Sequence, residues 1–353
     1  MHWELSEEQE LFAVSLREWI AAKFPVETVR ELHAAGEGGA FTAALVGEGW
    51  WGVGYPEEVG GQGGGVLELA LAAREFGRAA VPDSGWLAAA LAAPLLTAEE
   101  LAAQLSGERR FAVAVRADRI PGSAPLPTDG AGLSGTVAHV LGAAGADVLL
   151  VPVTGPDGLG VARVPAAAAV RTPENLLDRS RAVASVEFAA APITGIEAAD
   201  ALPRIADLAA VLVAADALGS AERMLELAVG YSRQRKQFGQ FIGAFQAVKH
   251  AAAQMLVTVE AAYSTALYAA AALEAGQDDA ATVAAVAKAQ VTGPVAGLAD
   301  SALTVHGAIG YTWEHDLQLF YKRAKLDRVL FGAPAGWNER IAAALLTVPA
   351  AAG

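Results

Sequence analysis

With 353 residues, 54% of them hydrophobic and only 18% charged, the chain carries enough apolar side chain for a large core and is no disordered tail. Its net charge of -14 excludes a general nucleic-acid binder, which would show a basic patch or stripe. The lack of cysteine excludes disulfides, thiolate nucleophiles and Cys-ligated metals, and fits a reducing compartment.

The opening MHWELSEEQE is acidic and polar and does not read as a signal peptide. Ser6 followed by Gln9 is a capping-box pattern, and Leu11, Phe12, Val14, Leu16, Trp19 and Ile20 recur behind it at helical spacing. Glu48 to Gly65, with eight glycines and Pro56, reads as a loop, after which helical patterns resume from Val66 to about Leu105. From Arg110 to about Pro192 the texture turns to short β-favouring runs: Phe111 to Val115, Val137 to Leu141, Val148 to Val153, and Ala184 to Phe188. Ala201 to Ser232, Ala244 to Ala275 and Asp278 to Val305 then predict three long helices, apolar on most faces, for a bundle and an oligomer interface. Charges, prolines and glycines interrupt the apolar stretches, so no window reads as a transmembrane helix, and a soluble, cytoplasmic protein without membrane contact is expected. The order predicts an α+β, mostly α fold with units at 1–108, 109–198 and 199–353.

Several chemistries lack their motifs. Neither a phosphate-loop string nor a dinucleotide-binding G-x-G-x-x-G is expected. The six histidines show no H-E-x-x-H spacing, so no metal site is expected, and no G-x-S-x-G elbow occurs. Two local basic clusters survive the acidic balance and keep an anionic ligand open: Arg233, Arg235 and Lys236, then Lys322, Arg323, Lys325 and Arg328.

The richest segment is Arg235-Lys236-Gln237-Phe238-Gly239-Gln240-Phe241-Ile242-Gly243, at the break between two long helical patterns. A guanidinium there presents fixed donors that fit a pyrophosphate, and Gly239 and Gly243 allow a tight turn. The plainer reading is a solvated basic turn with Phe238 in the core. A second signature is Val305-His306-Gly307-Ala308-Ile309-Gly310-Tyr311-Thr312-Trp313-Glu314-His315, where Gly307 and Gly310 would let backbone approach a ligand; Trp313 reads equally as packing.

Together the two signatures resemble the C-terminal domain of acyl-CoA dehydrogenases, and Pro56-Glu57-Glu58 with Gly60 and Gly61 resembles that family's N-terminal turn. The resemblance implies a helical N-terminal domain, a small β-barrel-like middle domain and a C-terminal four-helix bundle. It implies FAD, held by Arg235, Gln237, Phe238, Ile242, Gln246, Gly307 and Gly310, and an acyl-CoA substrate, with Asp207 on its CoA side. It also implies an electron-transfer flavoprotein or similar acceptor. Asp178 and Arg181 resemble a structural segment near the end of the β domain.

The family's catalytic positions are altered. Its general base is a glutamate in one of two places, which here fall at Phe331 and Ala209, with Ala210 where some members have arginine. Thr304 replaces a flavin-binding glutamine, Ala333 a threonine, and the T-E-P-x-x-G-S-D segment is not found in AVRADRIPGSAPLP. No catalytic residue is therefore assigned. Asp207 as a relocated base is disfavoured, since it points away from the face of Ala209, and it reads more plainly as a helix N-terminal aspartate. The pattern resembles the shorter subunit of actinobacterial heterotetramers, which completes an FAD site on a longer, base-bearing partner in a 2:2 complex acting on bulky acyl-CoA esters such as shortened sterol side chains. The alternatives are a homomeric dehydrogenase with a relocated base and a non-catalytic scaffold.

Overall fold

The computed structural model describes residues 4–346 except 37, 123, 131 and 157. The predicted capping box starts the first helix: Ser6 Oγ accepts from the Gln9 N–H at 3.2 Å, and Gln9 Oε1 accepts from the Ser6 N–H at 3.0 Å. That helix, α1 (Glu7–Lys23), leads into α2 (Val26–Ala35), α3 (Gly39–Gly47), α4 (Val66–Ala79), α5 (Ser84–Ala92) and α6 (Ala98–Leu105). The glycine-rich loop folds back on itself, with Gly63 N–H donating to the Tyr55 carbonyl at 2.8 Å. Gly61 is required there, because a Cβ would sit 2.1 Å from the Tyr55 oxygen.

The β-rich region holds β1 (Phe111–Val113), β2 (Leu126–Pro127), β3 (Leu133–Leu141), β4 (Val148–Gly155), β5 (Gly158–Pro165), β6 (Ala169–Glu174), β7 (Val183–Ala191) and β8 (Gly195–Ala198). They form two sheets, β1-β4-β5-β8 with β2 also on β4, and β3-β7-β6. Leu149, Val151 and Val164 from one sheet and Val140, Val186 and Phe188 from the other share one buried core. Strands β2, β5, β6 and β8 were not expected. Pro173 lies in β6, which pairs on one side only, and an edge strand tolerates a missing N–H. Gly130, Gly132 and Gly135 do have dinucleotide-motif spacing, but they lead into a strand paired antiparallel with β7 and open no helix.

The chain ends in helices: α7 (Leu202–Gln234), α8 (Gln246–Glu274), α9 (Ala280–His306), α10 (Leu317–Val329) and α11 (Pro334–Leu345). Helix α7 is central, packing on α4, α8, α9 and α10. Helix α8 departs from expectation. By length and composition it could cross a membrane, with mean hydropathy 1.3 in its most apolar window. Its second half packs into the bundle through Val259, Ala262, Ala266 and Leu273, while Leu256 and Val257 are exposed.

A buried charge cluster fastens the helices to the β-rich region. Arg323 Nε donates to Asp216 Oδ1 at 2.8 Å, and its Nη2 donates to Asp83 at 3.0 Å. Arg181, just before β7, pairs with Asp83 and lies 3.1 Å from Asp216. Burial and the adjacent Asp216 charge hold the Asp327 carboxyl well above the ordinary range, so the cluster balances two guanidinium groups against two carboxylates.

Candidate functional site

Arg235 ends α7 in extended geometry, its N–H still donating to the Tyr231 carbonyl at 2.9 Å. Beyond it Lys236–Gln237 (β9) and Gln240–Phe241 (β10) pair antiparallel, and Ile242 N–H closes the hairpin on the Arg235 carbonyl at 2.9 Å. The two turn residues, Phe238 (φ 49°) and Gly239 (φ 77°), both have positive φ, as a type I′ turn demands. Glycine takes this freely, whereas phenylalanine is strained. Phe238 is not in the core: it is 92% exposed, meeting Phe245 edge-on at 6.1 Å.

Arg233, Arg235, Lys236, Gln237 and Gln246 are all exposed around it. Ile242 is buried at the hairpin base, so its side chain is not open to a ligand. In the second basic cluster only Arg328 is exposed. Arg323 is buried among carboxylates, Lys325 bonds Asp300 and the Ala296 carbonyl at 2.8 Å each, and Lys322 lies 3.6 Å over the Trp313 ring.

The second signature lies beside the hairpin, since Tyr231 stacks on His306 at 4.7 Å. Helix α9 ends at Gly307, whose φ of 67° and ψ of -148° suit only glycine, and open space surrounds its missing Cβ. Gly310 is small for a different reason from the one expected: a Cβ would lie 2.8 Å from Leu303 and 3.1 Å from His306 and Leu317, so it is a packing glycine. Tyr311 and Trp313 stand exposed after it. Thr304 donates back to the Asp300 carbonyl in its own helix at 2.9 Å.

The family's base positions have an opposite character. Ala209 and Ala210 are fully buried. Phe331 is 1% exposed at φ 55°, its N–H donating to the Ala117 carbonyl at 2.6 Å, and Trp337 donates to the Phe331 carbonyl at 3.0 Å. Lys288 Nζ donates to the carbonyls of Asp327 at 2.8 Å and Gly332 at 3.1 Å, and its burial lowers its pKa to about 7. Turn 331–332 thus joins directly to the segment after β1, through Ala117.

Asp207 sits in the second turn of α7, not at its N-terminus, and accepts from Arg340 of α11 at 2.7 Å. Burial raises its pKa although Arg340 opposes this. Arg340, Pro121, Gly122 and Ala206 line a cavity of about 670 Å³, and a second cavity of about 660 Å³ opens across α7 between Tyr55, Ala90 and Arg204. Sequence reasoning missed Arg340, 133 residues from its partner, because nothing local signals the pairing. It also missed Lys288, which sits inside an ordinary helical pattern. No cluster of three or more metal-ligating side chains occurs among the described residues, which exclude His2.

Residues 6–101 match the family model for the acyl-CoA dehydrogenase N-terminal domain, and 204–346 that for its C-terminal domain. Acyl-CoA dehydrogenase FadE34 of Mycobacterium tuberculosis is 36% identical over 304 residues, 85% of this chain; the chain spans 41% of FadE34. Acyl-CoA dehydrogenase IpdE2 of the same organism is 33% identical over 284 residues, 79% of this chain and 78% of IpdE2. Among solved structures, the Tcur3481-Tcur3483 steroid ACAD G363A variant is similar at TM-score 0.86 and 28% identity, over 96% of this chain and 98% of that one. The ChsE4-ChsE5 complex of Mycobacterium tuberculosis is similar at TM-score 0.86 and 25% identity, over 99% and 100%.

Proposed function

The chain belongs to the acyl-CoA dehydrogenase family, oxidoreductases acting on CH–CH bonds, and from that premise we propose that it is the FAD-completing, base-lacking subunit of a heteromeric enzyme. The carrying observation is the contrast between a sealed Phe331 turn and an exposed, strained Arg235 hairpin. Arg235 would donate to the pyrophosphate, Gln237 and Gln246 would add hydrogen bonds, and Phe238 would cover a flat face. The open backbone at Gly307 fits the same ligand. FAD supplies the oxidant for desaturation when bound. This chain's part is to hold and orient it, because alanine and a packed phenylalanine stand at the base positions, and a carboxylate must come from the partner.

The exposed first half of α8, continuous with the hairpin, gives the partner an apolar surface. Two of the similar structures are two-component assemblies by title, one a steroid ACAD, which favours a bulky acyl-CoA ester as substrate. Its CoA end would lie by Arg340, which lines the cavity of about 670 Å³ and bonds Asp207. A flavoprotein electron acceptor and a cytoplasmic setting belong to the same reading.

The direct test is Arg235→Ala in the complex with a longer, glutamate-bearing relative. Losing a charge-assisted contact of roughly 1.5–3 kcal/mol weakens FAD by about 10- to 100-fold, with circular dichroism unchanged. Flavin absorbance equal to the wild type returns Arg235 to the ordinary surface charges.

A further inference from the structure

The two exposed segments are joined by a set of rings that the proposed FAD role does not use. Tyr231 from α7 stacks on His306 at 4.7 Å and 24°, and His306 meets His315 at 4.7 Å and 67°. Tyr231 comes four residues before Arg235, His306 directly before Gly307, and His315 two after Trp313. We propose that Tyr231, His306 and His315 form a latch that holds the Arg235 hairpin and the Gly307 turn together while both imidazoles are neutral, and frees them on protonation.

The hydrogen bonds fix each ring's tautomer. His306 Nδ1 lies 2.7 Å from the Ala302 carbonyl and must donate to it, which leaves Nε2 as the bare nitrogen. That Nε2 is buried with no hydrogen-bond partner among the described residues. A proton there puts a charge into a buried pocket, where it faces the Leu227 carbonyl without meeting hydrogen-bond geometry. His315 Nδ1 accepts from the Leu317 N–H at 3.1 Å, so its proton sits on Nε2. Protonating Nδ1 sets two donors against each other and frees the first turn of α10.

The facing groups do not reverse this. Around His306, burial favours the neutral ring, the Ala302 and Leu227 carbonyls oppose it, and His315 reinforces it. Around His315, burial again favours the neutral ring; Asp316 on the turn opposes it and Arg30 from α2 reinforces it. Arg30 is itself tied to Asp316 and to the Glu314 carbonyl, so it stays in place. Both rings titrate below their unfolded values. The latch is therefore intact above the ordinary histidine pKa and weakens as pH falls below it.

The consequence for FAD rests on the proposed function, but the latch is tested without FAD. Hydrogen exchange of segments 235–245 and 307–316 is followed in the full-length chain between about pH 7.5 and about pH 5.5, corrected for intrinsic rates. Both segments are expected to exchange at least about tenfold faster at the lower pH, in step, and His306→Phe or His315→Phe to remove the rise. A flat wild-type profile, or a folded variant that keeps the rise, overturns the latch. Imidazole titration of the wild type by NMR adds a test independent of the variants: a midpoint that matches neither His306 nor His315 also overturns it. Flavin content at neutral pH reads the FAD assignment separately.

Discussion

Phe331 and Phe238 are both phenylalanines on turns at positive φ, 55° and 49°, and they have opposite surroundings. Phe331 is held from three sides: its N–H by Ala117, its carbonyl by Trp337, and the adjoining Gly332 by Lys288. Phe238 is held by the hairpin register and one edge contact, with its ring in solvent. Backbone strain persists where the surroundings over-determine it. Packing supplies this at Phe331, whereas at Phe238 the hairpin register alone supplies it. One turn has become core; the other stands in solvent.

The largest effect expected from breaking this contrast is on the sealed side. Phe331→Ala opens a void in a packed, hydrogen-bonded turn and costs about 3–5 kcal/mol in denaturant unfolding. A cost under about 1 kcal/mol would mean that the turn is loose enough to serve as an open pocket.

Lys288→Met comes next, removing the donor shared by the Asp327 and Gly332 carbonyls at a cost of about 1–3 kcal/mol. It also tests a pH dependence. The folded-state pKa of about 7 lies below the ordinary 10.5, so the unfolded chain binds the extra proton between those values. Stability from this group therefore rises with pH from about 7 toward 10.5 and is lost as pH falls back. Urea midpoints should climb over that range in the wild type and climb less in Lys288→Met; parallel slopes would show that Lys288 stays charged.

Asp207→Asn should matter least for chemistry. Its carboxyl is taken up by Arg340, and single-turnover flavin reduction in the complex should stay within about tenfold of the wild type. A fall on the order of 10⁴-fold with substrate still bound would make Asp207 a relocated base and this chain an independent dehydrogenase.

Local chemistry was the legible part of the sequence. The Ser6 capping box, the three long helices and the tight turn at Gly239 depend on neighbours within a few residues, and the structure shows each. Contacts between distant segments were not legible. The strain that throws Phe238 outward follows from strand register. The pairing of Asp207 with Arg340 and the cluster that takes up Arg323 join residues more than a hundred apart. Gly310 shows a subtler limit: one glycine in a motif can serve backbone approach or close packing, and only its neighbours tell which. Helix α8 is apolar enough to be read as buried throughout, yet half of it faces outward.

The most direct test of the account is a count of flavins in a native mass spectrum. Coexpressed with a longer, glutamate-bearing relative, this chain should form a complex of two and two subunits, carrying about half the FAD of a fully occupied homotetramer. The chain alone should bind FAD poorly and leave acyl-CoA unchanged. A homotetramer of this chain, with one FAD per subunit and acyl-CoA turnover unaided, would contradict the account.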